Sequence, residues 1–378
     1  MAELHPGTWM LDREGLNGLL AVLRRLGFRT VGPRERDGAI VLDTLSSAGD
    51  LPWGWRDEQG PGRYRLTRLG DEAFGCGVPA QSWKRFLHPP EVRLFEVERR
   101  ADGRGLTLVP GDAAIESYAL IGVRACDLNA ILVHDRVLSQ GAHRDQGYAA
   151  RRERAFIVAV NCTRSGGTCF CASFDTGPRA GSGFDLVMTE LSDRNVPAFV
   201  VEVGTVRGAE VLAELPRRPA TEAEGRSADD AIAAARHAMG RRLTTDGLKE
   251  LLQRNPDHPR WQDAARRCLT CGNCTMACPT CFCTDCADVT DLVSGRAARD
   301  RRWDSCFNLS FSYIHGGPMR RSVSARYRHW MTHKLASWFD QFGTSGCVGC
   351  GRCIAWCPAG IDITEEARAI RGAEAKEG

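Results

Sequence analysis

Leucines recur at 16, 19, 20, 23 and 26, a spacing of three and four that predicts an amphipathic helix from Arg13 to a stop at Gly27. Shorter runs follow. Ala39 to Leu45 and Arg63 to Leu69 flank a turn-rich stretch with Gly60, Pro61 and Gly62, and Glu91 to Val97 with Leu106 to Val109 flank Asp102 and Gly103. This part reads as antiparallel hairpins. The pattern then changes. Tyr118 to Val123 reads as a buried strand leading into Cys126 and Asp127, Leu128 to Leu138 as a helix, and Ala155 to Val160 as a second buried strand ending at Asn161 and Cys162. Strand, helix, strand implies a parallel α/β unit. Phe184 to Leu191 and Ala198 to Val203 continue as strands, and Gly208 to Leu215 as a helix.

Residues 216–227 are polar and carry Pro216 and Pro219, and helical patterns at 229–239 and 245–253 follow. A domain boundary is expected there, separating an α/β domain over 1–220 from a second domain over 228–378. The second part is organised around cysteines, with one aromatic, basic helix from Arg321 to Phe339. The fold class expected is α+β: an N-terminal α/β domain with a mixed sheet, then a helical, ferredoxin-like dicluster domain.

Composition sharpens this picture. With 378 residues, 43% of them apolar, the chain has material for two cores. It carries 17 cysteines, 12 of them between Cys268 and Cys357. A chain this long needs no disulfide staples, so metal or redox chemistry in a reducing compartment is the reading. The first residues lack the basic flank and apolar core of a secretory signal, and the tightest apolar run, Ala155 to Val160, is too short to span a bilayer. A cytoplasmic protein with no membrane partner is expected. The net charge of +3 and the absence of any basic block interleaved with aromatics point away from nucleic acid.

Cys268, Cys271, Cys274 and Cys278 before Pro279, and Cys347, Cys350, Cys353 and Cys357 before Pro358, are two complete ligand runs for a 4Fe-4S cluster. Three cysteines at this spacing wrap a tight loop around one cubane, and the proline redirects the chain so that the fourth thiolate reaches the neighbouring cluster. One cluster is therefore expected on Cys268, Cys271, Cys274 and Cys357, and the other on Cys347, Cys350, Cys353 and Cys278. Structural zinc is the alternative, but its paired knuckles do not produce two such runs. The 68 residues between the runs exceed what a small ferredoxin carries, and their character reads as helical.

A third set lies in the N-terminal part: Cys126 and Cys162, each after a predicted strand, and Cys169 and Cys171 in a Gly-rich loop. If the two strands are parallel neighbours their carboxyl ends lie together, where open α/β sheets place ligands. Asp127 is expected to cap the following helix, whose positive end would face an anionic cluster. A third 4Fe-4S site is the sharp reading; buried structural thiols, or zinc, are the alternatives. Cys281, Cys283, Cys286 and Cys306 fit a further metal site, a thiol relay, or contacts beside the cluster. Cys76 reads as a small buried residue. Gly75, Gly77 and Ala80 match a dinucleotide fingerprint by chance only, and His134 reads as a packed or surface residue. With no site for a flavin, nicotinamide or catalytic metal, the task expected is carrying single electrons.

The segments CLTCGNCTMACPTCFC, WDSCF, CVGCGRCIAWCPAGI, GVRACDLNAI, FIVAVNC, TCFCASFDTGP and GFDLVMTEL together resemble the iron-sulfur beta subunit of cytosolic nickel-iron hydrogenases of the sulfhydrogenase type, and the related A subunit of anaerobic sulfite reductase. The likeness runs from about Leu120 to Ile363, and the first hundred residues are only loosely similar. It implies a non-catalytic electron-transfer subunit working with a flavin subunit that handles NAD(P)H, a small iron-sulfur subunit, and a large nickel-iron subunit. It also supports Cys126, Cys162, Cys169, Cys171, Cys281, Cys283 and Cys306 as functional positions, while Cys286 and Cys76 match nothing. The alternatives are the sulfite reductase subunit and an iron-sulfur redox sensor. The stretch Arg320 to Phe339 reads as a docking face or as an amphipathic helix with its aromatics in the core.

Overall fold

The computed structural model describes residues 7–100, 104–111, 115–191 and 197–377, so the turn expected at Asp102 and Gly103 lies outside the described residues. Its centre is an eight-stranded sheet, ordered from edge to edge Arg218–Pro219, Trp9–Asp12, Ala198–Val203, Leu186–Leu191, Phe156–Val160, Tyr118–Arg124, Arg29–Arg36 and Ala39–Thr44. Leu186–Leu191, Phe156–Val160, Tyr118–Arg124 and Arg29–Arg36 run parallel, and both flanks are antiparallel, so the sheet is mixed.

Parallel strands bury both faces, and the alternation along Phe156–Val160 separates two cores. Phe156, Val158 and Val160 join Leu16, Leu19, Leu20 and Leu23 of the helix Arg13–Arg25 on one face. Ile157 and Ala159 join Leu128 and Ile131 of the helix Ala125–His134 on the other. Asp12 caps the first helix by accepting from the Gly15 amide at 2.8 Å, worth about 1 kcal/mol. Each fully buried leucine contributes about 1.5–3 kcal/mol, so docking on the sheet, rather than the cap, holds this helix. Leu26, expected on the apolar face, lies beyond the last turn and is 49% exposed.

Several hairpins pair differently from the sequence expectation. Ala39–Thr44 pairs with Arg29–Arg36, and Arg63–Arg68 pairs with Trp55–Gly60 across Pro61 and Gly62. Glu91–Arg99 does pair with Leu106–Pro110, as the alternation implied. The interval between the cysteine runs is not helical throughout. Thr284–Asp291 and Arg296–Trp303 form a ribbon that pairs with Glu91–Arg99 in a four-stranded sheet joining sequence-distant parts of the chain. Its outer strand is largely exposed, so it carries little of the apolar alternation that identifies a strand.

The stretch 216–227 carries regular structure. Arg218–Pro219 is an edge strand of the main sheet, and the helix Glu222–His237 begins with a capping box between Thr221 and Glu224. Ala228 of this helix packs on Met10, Leu191 and Val200. The cysteine-rich part has its own core. Leu251 and Leu252 of Leu248–Arg254, Trp261 of Arg260–Arg267, Tyr327, Trp330 and Met331 of Val323–Thr332, and Ile370 of Ile363–Glu377 pack together. The aromatics of the 320–339 stretch therefore lie largely inside, with Arg326 only 6% exposed. Among the described residues no helix is long and apolar enough to cross a membrane.

Candidate metal centres

The two cysteine loops share one backbone design. The amide of Thr270 donates to Cys268 Sγ at 3.4 Å, and the amide of Gly349 donates to Cys347 Sγ at 3.4 Å. Thr270 and Gly349 have φ of 53° and 62°, Gly272 and Gly351 have φ of 75° and 78°, and each of the latter pair opens a single helical turn, Asn273–Met276 or Arg352–Ala355. Left-handed residues at these points fold the loop around its own sulfurs. Thr270 adopts a conformation that costs a non-glycine residue about 1–2 kcal/mol.

Cys268, Cys271, Cys274 and Cys357 line one cavity, walled on its apolar side by Phe307, Tyr327, Trp330 and Ile361. Cys353 lines it too, so two cysteines of the other loop, Cys353 and Cys357, reach this cavity. Burial pushes the Cys268 and Cys274 thiols up, with the neighbouring cysteine charges adding to the effect. In the second loop Cys347 and Cys350 are buried, and Cys278 lies within electrostatic reach of Cys347, Cys350 and Cys353. Cys353 is likewise within reach of Cys274, so the two centres adjoin.

Cys278 is unlike the other buried thiols. The hydrogen bond with Cys281 and the ammonium of Lys334 hold it well below its ordinary value, against the pull of burial. Lys334 Nζ donates to Cys278 Sγ at 3.3 Å, Cys281 Sγ at 3.5 Å, Thr280 Oγ1 at 3.1 Å and the Gly346 carbonyl at 3.0 Å. Burial would lower this lysine, but the facing thiols of Cys278, Cys281 and Cys347 carry it upward.

The third set also converges. Arg124 is the register partner of Val160 on adjacent parallel strands, and Cys126 and Cys162 each stand two residues beyond that pair. Cys171 lies within electrostatic reach of Cys162 and Cys169, and Cys126 within reach of Cys171. Burial pushes Cys169 up to about 12 and Cys126 well above its ordinary value. The Gly349 carbonyl accepts from the Phe170 amide at 2.8 Å, and a Cβ on Gly349 would stand 2.5 Å from the Phe170 oxygen. The second and third loops thus touch backbone to backbone.

Asp127 does not cap its helix. Arg124 occupies the cap position, and Asp127 instead pairs with Arg352, Oδ2 accepting from Nη2 at 2.9 Å and Oδ1 lying 2.8 Å from Nη1. Arg352 is fully buried beside Cys350 and Cys126 and also donates to the Pro79 carbonyl at 2.7 Å.

Of the remaining thiols, Cys306 is buried with Cys283 in electrostatic reach, and burial pushes it up to about 12. Cys286 is exposed on the ribbon, its register partner being Arg301. Cys76 is buried, its thiol directed at the Trp55 carbonyl at 3.1 Å, and burial pushes it up to about 12. His134 is buried between the rings of His88 and Tyr148. Gly75 and Gly77 lie inside the loop between Arg63–Arg68 and the short helix Lys84–Leu87 and adjoin neither.

Among the described residues no three His, Cys, Asp or Glu side chains converge tightly enough to grip a single bare ion. The thiols ring a cavity instead, with an inward-facing amide in each loop, and that donor set fits a cluster. Sequence reading missed Lys334, Lys84 and Arg352. The signal available for the lysines was scarcity, since Lys84, Lys249, Lys334 and Lys376 are the only lysines among 50 basic residues.

Residues 267–361 match the family model of the 4Fe-4S dicluster domain. Together with the paired loops, this defines an iron-sulfur electron-transfer protein with two 4Fe-4S clusters. The chain is 34% identical over 309 residues to the sulfhydrogenase 2 subunit beta of Pyrococcus furiosus, an alignment covering 80% of this chain and 89% of that one. It belongs to the family of sulfhydrogenase beta subunits. No solved structure matches the chain.

Proposed function

We propose that this chain is the non-catalytic electron-transfer subunit of a cytoplasmic nickel-iron hydrogenase complex. It relays single electrons between a flavin subunit that binds NAD(P)H and the hydrogenase module, a small iron-sulfur subunit and a large nickel-iron subunit. The observation that supports this reading is the meeting of the two cysteine runs: Cys353 and Cys357 line the cavity of Cys268, Cys271 and Cys274, and Cys278 is in electrostatic reach of Cys347, Cys350 and Cys353.

In this reading those two sets hold two 4Fe-4S clusters, and Cys126, Cys162, Cys169 and Cys171 hold a third. Such clusters, when bound, take up and release one electron at a time. The residues of the chain do the rest. Cys274 and Cys353 bring the first two centres together, and Cys350, in reach of Cys126, Cys169 and Cys171, extends the series to the third. Phe307, Tyr327 and Trp330 give the first cavity an apolar wall, while Cys271 keeps it open to solvent on another side. Cys281 is hydrogen-bonded to Cys278, Cys306 is in electrostatic reach of Cys274, and Cys283 stands next to Cys306, so these three thiols flank the ligands.

Anaerobic purification from the native host tests the assignment. About twelve iron and twelve sulfide per chain are expected, against about eight of each if the third set binds no cluster. Nickel and flavin should co-purify. Sirohaem in their place would move the chain to a sulfite reductase complex.

A further inference from the structure

Lys334 and Lys84 are buried ammonium groups, each 4% exposed, and neither has a carboxylate partner among the described residues. Every group around Lys334 Nζ is an acceptor. The Thr280 hydroxyl donates to the Gly346 carbonyl at 2.7 Å, so its oxygen accepts from the lysine, as do the Gly346 carbonyl itself and the sulfurs of Cys278 and Cys281. Lys84 Nζ donates to the Cys281 carbonyl at 2.9 Å and stands 3.9 Å over the Trp303 ring. Both charges thus gather on the loop that carries Cys278, the thiolate assigned to the second centre. Burying a cation without an anion is costly, and the anion on offer is the thiolate side of that centre. Arg352, on the other side of the same loop pair, is already neutralised by Asp127.

Resting on the cluster assignment above, we propose that Lys334, assisted by Lys84, is a positioning and tuning residue that raises the reduction potential of the second centre. Reduction adds one negative charge to a cluster, and a fixed cation at hydrogen-bond distance from its thiolate stabilises the reduced form more than the oxidised one. In a water-poor interior this difference is poorly screened. Among the described residues no lysine lines the first cavity, where the cation in reach of Cys268 is Arg326, so removing Lys334 should act on the second centre.

The test is potentiometric EPR on the full-length, iron-loaded chain, unsubstituted and as Lys334→Met and Lys84→Met, with iron and sulfide assayed on each sample. Cys350→Ser marks which midpoint belongs to the second centre. The expected result is unchanged iron in both lysine variants, a shift of that midpoint to lower potential, larger for Lys334→Met, and no shift of the first centre. Unmoved midpoints at full iron content would overturn the proposal, as would equal shifts at both centres. If Lys334→Met loses its iron, Lys84→Met decides by the same criterion. An unsubstituted chain without two clusters would overturn the cluster assignment itself, an outcome separated from the others by the iron assay.

Discussion

Replacing Asp127 with Asn tests whether the buried pair with Arg352 joins the cysteine-rich part to the main sheet. The two side chains are 2% and 0% exposed, and Arg352 is anchored through Nε to the Pro79 carbonyl, so the guanidinium cannot turn to water. An exposed ion pair would be worth about 0–1 kcal/mol. Removing one partner of a buried pair leaves an uncompensated charge and costs about 3–5 kcal/mol. At about 2 °C per kcal/mol for a chain of this size, Asp127→Asn should lower the anaerobic melting temperature by roughly 6–10 °C. The double variant Asp127→Leu, Arg352→Met removes both charges and should recover much of this. It still leaves the Pro79 carbonyl without its donor, at about 1–3 kcal/mol, so recovery is partial. The assay is calorimetry at one fixed scan rate under argon. A single variant within about 2 °C of the unsubstituted chain, or a double variant less stable than the single, would refute the reasoning.

Cys357→Ser should remove about four iron per chain, and Cys286→Ser none, since Cys286 is exposed on a ribbon away from the thiol rings; iron and sulfide analysis checks both. Gly349→Ala would place a methyl 2.5 Å from the Phe170 oxygen and 2.6 Å from the Cys171 amide nitrogen, at a φ of 62°. It should deplete iron from the second and third centres while sparing the first, and full iron content would contradict the backbone contact. Glu190 supplies a pH dependence. Burial raises its carboxyl from 4.5 to about 7, despite the amides of Ala73 and Phe74 that bond to it at 2.6 and 2.9 Å. A raised carboxyl favours the protonated folded state, so its contribution is complete below pH 4.5 and lost as pH rises through 7. The melting temperature of the unsubstituted chain, relative to Glu190→Gln, should fall across that window and level off above it; a difference independent of pH would refute the assignment.

The sequence is most legible where function is local. The spacing of Cys268, Cys271 and Cys274 is a property of one loop, and the unbroken apolar run Phe156–Val160 is a property of one fully buried strand. The carboxyl ends holding Cys126 and Cys162 could be placed together because strand, helix, strand permits one handedness of parallel crossover. Legibility fails where a residue takes its meaning from a partner far along the chain. Asp127 looks like a helix cap because its neighbours say so, while its ion-pair partner is 225 residues away. The ribbon 284–303 hides within an interval that reads as helical because its outer strand is exposed and its pairing partner is the distant Glu91–Arg99.

The lysines show a further limit. A chain that uses arginine nearly everywhere keeps lysine at 84 and 334, both buried against the Cys278 to Cys283 loop. Arginine's planar fork spreads five donors in fixed directions and suits carboxylates, as Arg352 shows on Asp127. A compact ammonium fits between two sulfurs, a hydroxyl and a carbonyl that surround a point. Composition therefore held a trace of the site, since two of the four lysines stand there. That trace acquires meaning only once folding brings Lys334 across 56 residues to Cys278. Function in this chain is written twice, once in the cysteine spacing that selects the cluster and once in long-range charges that set its surroundings.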